Sequence, residues 1–355
     1  MNAATGPADR AAAPAGNSGR TAPPPLRPQR MLAIVQAGYG PAGILHAEEI
    51  DQPAAGEGEV LVRVRAAGLD RGTWHLMAGQ PYLVRLVSGL RKPKNRVPGL
   101  DLAGTVVAAG AGVTRFKAGD EVFGIGQGSF AEYTRARADK LARKPASLTF
   151  GQAAAVAVSG LTALQGLRDA GRLQPGQHVL IVGASGGVGT FAVQIAKSLG
   201  AQVTGVCSTA KTSLVASIGA DHVLDYTRDD FTDGTQRYDL ILDIAGNTPL
   251  PRLRRALTRT GTLVIAGGED AGRWTGMGRQ LHALTASPFA RQRLTMLVSR
   301  QRRADLDRLA ELIEAGQLTP VIGATYPLLQ APDAMRHLQA GHARGKLVIK
   351  VADAG

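Results

Sequence analysis

Apolar and polar positions follow two rhythms along this chain, and the switch between them divides it. From Met31 onward, short apolar or alternating runs (MLAIVQA, GEVLVRVRAAG, GTVVAAG, GDEVFGI and FAEYTRA) are separated by Gly, Pro and Asp. That is the pattern of a small β-rich domain. The stretch LTFGQAAAVAVSGLTALQGL then has helical length and an apolar face. After it strands alternate with helices, the mark of a parallel sheet. HVLIVGA, AQVTGVCS, HVLDY, YDLILDIAG and GTLVIAGG read as strands, RLTMLVS as a sixth, and DLDRLAELIEAG as a helix. The end of the chain returns to strand, helix, strand in VIGATYPL, APDAMRHLQAG and GKLVIKV. A terminal strand after a complete α/β unit goes back to the β-rich domain, so the α/β unit reads as an insertion. The expected division is a tail over 1–30, a β-rich domain over 31–155, an α/β dinucleotide-binding domain over 156–320, and a return to the β-rich domain over 321–355.

Composition changes this picture in three places. Residues 1–30 are mostly Ala, Pro, Gly and Arg with almost no large apolar side chain, and cannot offset the entropy of ordering. They read as a disordered tail, because the prolines oppose the amphipathic helix of a transit peptide. Across the 355 residues, 44% are hydrophobic, enough for two buried cores, yet no apolar run reaches the ~18 residues of a membrane span. Cys207 is the single cysteine, which excludes a disulfide framework and a multi-cysteine zinc site. A reducing, cytoplasmic setting is expected, with Cys207 as a small buried filler.

The formal net charge of +13 suits any polyanion: a nucleic acid, a membrane surface or an anionic cofactor. An RNA-binding module carrying a nucleotide is one reading of that charge. Against it, no clustered aromatic residues interleave with the basic ones to make a stacking platform. Two basic segments, 85–96 and 278–303, read by default as solvated amphipathic faces, with a membrane contact as the sharper alternative.

The most informative motif is VLIVGASGGVG. An apolar strand runs into Gly183, Ala184, Ser185, Gly186, Gly187, Val188 and Gly189, and a helix follows directly. Glycine is needed there because backbone amides at a helix N-terminus must approach a pyrophosphate that a Cβ would hold away. An NAD site usually places Asp or Glu about 20 residues on, to take the ribose 2′-hydroxyl. Here no acid occurs from Thr190 through Ala220, and Ser208 and Lys211 stand near the expected position. A hydroxyl and a cation suit a 2′-phosphate, so the expected cofactor is NADPH. Asp243 and Asn247 end the strand YDLILDIAG, on the side where open α/β sheets bind ligands.

Taken together, EVLVRVRAAGLDRGTWHLMAGQP, VPGLDLAGTVVAAGAGVTRFKAGDEVFG, SGLTALQGL, the glycine segment and GHARGKLVIKV resemble the medium-chain dehydrogenase/reductase superfamily, specifically its zinc-free quinone oxidoreductase-like branch. The resemblance implies a Rossmann doubly wound parallel sheet inserted in a GroES-like β-rich domain, and quinones or α,β-unsaturated carbonyls as substrates. It also implies that Thr162 and the loop at Ala266 and Gly267 border the nicotinamide, and that the chain forms a homodimer. Zinc-dependent members carry Cys, His and Glu where this chain has Asp70, Leu100 and Asp101. A leucine cannot coordinate, and a catalytic zinc needs about three protein ligands. No metal site is expected.

Where related reductases carry Asn and Tyr beside the cleft, this chain has Asp70 and His75. His75 is the candidate proton donor, Asp70 a candidate for orienting the nicotinamide ribose, and Tyr82 a third candidate donor. The same scaffold also hosts alcohol dehydrogenases and enoyl-thioester reductases, and pattern alone does not separate these.

Overall fold

A computed structural model describes residues 1–2, 29–267 and 291–351. Its architecture consists of two sheets with helices between and around them. Strands β1 (Arg30–Val35) and β2 (His46–Asp51) form an antiparallel ribbon. The first large sheet contains β3 (Glu59–Leu69), β4 (Asp101–Ala109), β5 (Glu121–Ile125), β6 (Tyr133–Arg137) and β7 (Leu141–Arg143). The second contains β8 (His178–Val182), β9 (Gln202–Cys207), β10 (His222–Asp225), β11 (Tyr238–Asp243), β12 (Leu257–Ile265) and β13 (Arg293–Met296), all parallel, in the order β10-β9-β8-β11-β12-β13. Chain order reverses between β8 and β11, which makes the crevice beyond their C-terminal ends the natural ligand site.

After β13 the chain comes back to the first sheet. Strand β14 (Ile322–Pro327) pairs with β15 (Lys346–Lys350), and β15 lies antiparallel to β3, with Leu347 opposite Leu69 and Lys350 opposite Ala66. The sheet that opens the chain is thus completed by its last strand, with the parallel sheet inserted between. One hydrophobic core crosses the junction. It joins Phe191 and Ile195 under the parallel sheet to Leu161 and Leu164 of the connecting helices, and these to Phe123 and Val348 of the other sheet. Each such fully buried side chain contributes about 1.5–3 kcal/mol, so the walls facing the crevice are held in a fixed relation.

Three local departures from the sequence reading have physical causes. The long helix expected over LTFGQAAAVAVSGLTALQGL is broken into Phe150–Ala154, Ala157–Gln165 and a π-helical turn, Gly166–Ala170. The first piece starts on a capping box between Thr149 and Gln152. The second starts where the Val158 amide donates to the carboxylate of Asp101, 2.7 Å away on another element. Strand β2, HAEEID, escapes the apolar pattern because it is an exposed ribbon with three acids. The helix Arg71–Ala78 is likewise invisible to periodicity; it exists because Asp70 caps it, accepting from the Thr73 amide at 2.8 Å. The tail expected over 1–30 lies outside the described residues apart from its ends, and so does 278–290 of the second basic segment.

Candidate active site

The crevice at the switch point opens into a cavity of about 810 Å³. Its cofactor-like end is made by the turn after β8. Gly183 sits at φ +90°, and its amide and that of Ala184 both donate to Val206 O, at 3.1 and 3.0 Å. The chain then enters the helix Gly187–Ser198 through Gly186, whose amide donates to Gly183 O at 3.2 Å. A Cβ on Gly189 would meet Gly183 O at 2.1 Å, so helix and strand approach as closely as they do only because that side chain is missing. A Cβ on Gly186 would meet nothing nearer than 3.6 Å. The space above Gly186 is therefore open, bounded by first-turn amides and with no acid in that turn. This fits a pyrophosphate.

Of the candidate cofactor residues, Thr162, Gly183, Ser185, Gly186, Gly187, Val188, Ser208, Lys211, Asn247, Ala266 and Gly267 all line the cavity. Ala184 and Gly189 do not: both are buried behind the turn, where they shape it. Thr162 Oγ1 donates back to Val158 O at 2.7 Å within its own helix. The Gly267 amide donates to Asp243 O at 3.2 Å, and the buried Asp243 carboxylate accepts from the Gly246 amide at 3.0 Å. That bond shapes the loop carrying Asn247.

Beyond β9 the cavity is bordered by both signs of charge. Lys211 Nζ donates to Ala343 O at 3.0 Å; burial, and then the charge of Arg344, hold its pKa below the usual lysine range. The interval after Gly189 is free of acids along the chain through Ala220, but the fold brings in Asp225 from the end of β10 and Asp229 and Asp230 from beyond it. Asp229 and Asp230 line the cavity. Each is engaged: Asp230 with Arg252 at 2.7 Å and with Thr232, Asp229 with the Asp225 amide at 2.9 Å, and Asp225 with the hydroxyl of Thr209 at 2.5 Å and that of Thr227 at 2.8 Å. Cys207 borders the same end but stays a thiol, since burial first, then the charge of Asp225, pushes it up to about 11.

The other end is bounded by Leu69, Asp70, Arg71, Gly72, His75 and Pro81, together with Lys346 and Leu347. His75 Nδ1 lies 2.7 Å from Gln80 O. A carbonyl only accepts, so Nδ1 carries the hydrogen and Nε2 of the neutral ring is an acceptor. The ring also meets Trp74 edge to face at 4.9 Å, so His75 packs on its neighbour and borders the cavity at once. Asp70 is buried, its carboxylate engaged as the helix cap. Tyr82 does not reach the cavity lining: it lies in a 3₁₀ turn with its ring 4.7 Å from the Arg85 guanidinium.

Two family descriptions match the chain: an alcohol dehydrogenase GroES-like domain over residues 56–146 and a zinc-binding dehydrogenase domain over residues 218–349. The chloroplast envelope quinone oxidoreductase homolog of Arabidopsis thaliana is 31% identical over 329 residues, 88% of this chain and 95% of that protein. The mitochondrial NAD(P)H oxidoreductase RTN4IP1 of Bos taurus is 36% identical over 82% of each chain. Among solved structures, the quinone oxidoreductase of Coxiella burnetii superposes with a TM-score of 0.79 at 29% identity, covering 91% of this chain and all of that one. The chain belongs to the medium-chain dehydrogenase/reductase superfamily, in its zinc-free quinone oxidoreductase-like branch.

One of the matching superfamily descriptions names zinc, but the residues at the metal-site positions do not suit it. Leu100 has no donor atom, and Asp70 holds the helix cap. Asp101 is fully buried; one carboxylate oxygen accepts from Lys346 Nζ at 2.8 Å and the other from the Val158 amide. Burial pushes the Asp101 carboxyl up to about 6; Lys346 pulls the other way, and the charge of Asp70 adds to the rise. Pattern along the chain does not show the Lys346–Asp101 pair, although GKLVIKV reads as a strand. Lys346 also packs on the glycine turn, since a Cβ on Gly187 would meet its Cδ at 2.9 Å. Gly345 stitches the same turn, its amide donating to Ser185 O at 2.8 Å. Tyr226, Arg252 and Arg71 are further lining residues that sequence spacing did not indicate.

Proposed function

We propose that this protein is a zinc-independent reductase that transfers hydride from NADPH to quinones or α,β-unsaturated carbonyls. The observation that carries the reading is one continuous cavity joining the open glycine turn to an end lined by the helix-capping Asp70 and by His75, while the other two metal-site positions hold Leu100 and the internally paired Asp101.

In this reading the open glycine turn and the first turn of the Gly187–Ser198 helix hold the pyrophosphate, and Thr162, Ala266 and Gly267 border the nicotinamide. Ser208 and Lys211 take the 2′-phosphate. Burial and then the charge of Arg344 disfavour the Lys211 cation, and Asp230 nearby is already engaged by Arg252, so a 2′-phosphate would supply the counter-charge. NADPH supplies the hydride. Without a metal to polarise an isolated carbonyl, the acceptor itself must spread the developing charge, as a quinone or an enone does by conjugation. A proton then completes the hydroquinone or saturated carbonyl. His75 donates it from Nε2 only when doubly protonated, because Nδ1 is tied to Gln80 O. The substrate is thus a small conjugated molecule and not a nucleic acid. The homodimer that the resemblance implies would join two copies at the β13 end of the parallel sheet. A reducing, cytoplasmic setting remains our reading of the single cysteine. Among the described residues no helix is long and apolar enough to cross a membrane.

The test is NADPH oxidation by the purified protein with a matched enal and saturated aldehyde and with a simple quinone. The conjugated acceptors should react much faster, with or without chelator. A faster rate with the saturated aldehyde, or activity that chelator removes and zinc restores, overturns the reading.

A further inference from the structure

The segment after the cavity-lining Pro81 is amphipathic the wrong way round for a soluble protein. It runs through the 3₁₀ turn Tyr82–Val84 and the short helix Arg85–Ser88 to Leu90. Of the nine large hydrophobic side chains exposed among the described residues, four lie within the nine positions 82–90: Leu83 at 40%, Leu86 at 64%, Val87 at 77% and Leu90 at 69%. The polar groups of the same turns face the protein. Arg85 lies 4.7 Å from the rings of both Tyr39 and Tyr82 and donates from Nε to Gly79 O at 2.9 Å. The Tyr39 hydroxyl donates to Gly89 O at 2.5 Å and lies 2.8 Å from Ser88 Oγ. The ridge is therefore held in place from its polar side, and its apolar side is presented outward.

Beside the ridge stand Arg91, Lys92 and Lys94, all exposed and with no carboxylate partner among the described residues. No Asp or Glu occurs from Arg71 through Leu100. Apolar side chains ringed by unpaired cations match a surface that is oily beneath an anionic rim. A second copy of this chain would bring the same cations face to face across a two-fold axis, and a nucleic acid would leave the leucines in water. We propose that the 83–94 ridge docks the protein on an anionic lipid bilayer as a peripheral, non-spanning contact. Docked this way, the substrate end of the cavity, where Pro81 and His75 sit, lies near the membrane in which long-chain quinones dissolve. That consequence rests on the reductase reading; the docking does not.

Flotation of the full chain with phosphatidylglycerol–phosphatidylcholine vesicles, against pure phosphatidylcholine vesicles, tests the proposal. The protein should float with the anionic vesicles only, and less so as salt is raised. Leu86→Ser with Val87→Ser, and separately Lys92→Glu with Lys94→Glu, should each lower the bound fraction about tenfold or more. Neither pair lines the cavity, so circular dichroism and NADPH oxidation with a water-soluble quinone should be unchanged. The proposal is overturned by failure of the wild type to float, by equal binding to both vesicle types, or by undiminished binding of either double variant. It is also overturned if the serine variant turns a dimer into a monomer, which would assign the ridge to contact between copies. A chain that floats yet oxidises no NADPH sinks the reductase reading and leaves the docking standing.

Discussion

At one end of the cavity the residues that matter are neighbours in the chain: Gly183 to Gly189 make a strand end, a turn and a helix start within seven positions. At the other end Lys346 and Asp101 meet across 245 residues, and Val158 joins them from a third element. The cofactor end leaves the space above its glycine turn open to a ligand, whereas the substrate end satisfies its buried charges internally. A contiguous motif makes a site for a ligand common to many enzymes. An assembled site fixes the geometry between two domains, and there a single substitution reaches furthest from its own position.

The largest effect expected from breaking this contrast is at Gly189. Gly189→Ala places a Cβ against Gly183 O and the Ala184 backbone, atoms that cannot swing away. A loss of about 4–5 kcal/mol in stability is expected, with NADPH affinity falling by roughly 10²-fold. Denaturant melts and a fluorescence titration check this. If the variant binds and folds like the wild type, the turn is not the close-packed element described.

Next is Asp101→Asn, which leaves Lys346 buried without its counter-charge, at a cost of about 3 kcal/mol near neutral pH. The sign of its pH dependence also follows. Because burial raises the Asp101 carboxyl from 3.8 to about 6, the folded protein holds this proton more tightly than the unfolded chain. The stabilising contribution is present below pH 3.8 and is lost as the pH rises to about 6. Melts of wild type and variant across that window should differ in slope, and parallel curves would remove Asp101 as the source.

His75→Ala should lower turnover of a conjugated acceptor by roughly 10²-fold. An unchanged variant would transfer the proton step to solvent and leave the hydride chemistry intact. The smallest effect sharpens the cofactor end: Lys211→Ala should weaken NADPH about tenfold, or about 1.4 kcal/mol, with little change for NADH. Equal losses for both cofactors would show that Lys211 does not read the 2′-phosphate.

The residues by themselves determined the order of strands and helices, the inserted α/β unit, the glycine turn and the loss of metal ligands at Leu100, because periodicity, turn chemistry and donor identity are local properties. They also put Ser208 and Lys211 at the end of β9 within reach of one cavity. Nothing along the chain places Asp229 and Asp230 at that same end, because they arrive from the loop after a neighbouring strand. Nor does anything there show that Tyr82 turns to Arg85 and away from the cavity, or that Asp70 serves as a helix cap. The Lys346–Asp101 pair, and the seam of Gly345 and Lys346 against the glycine turn, belong to tertiary structure alone. A buried ion pair is stable only where folding supplies the partner charge and the remaining hydrogen bonds together, and nothing in either residue's own neighbourhood shows which distant side chain will supply them.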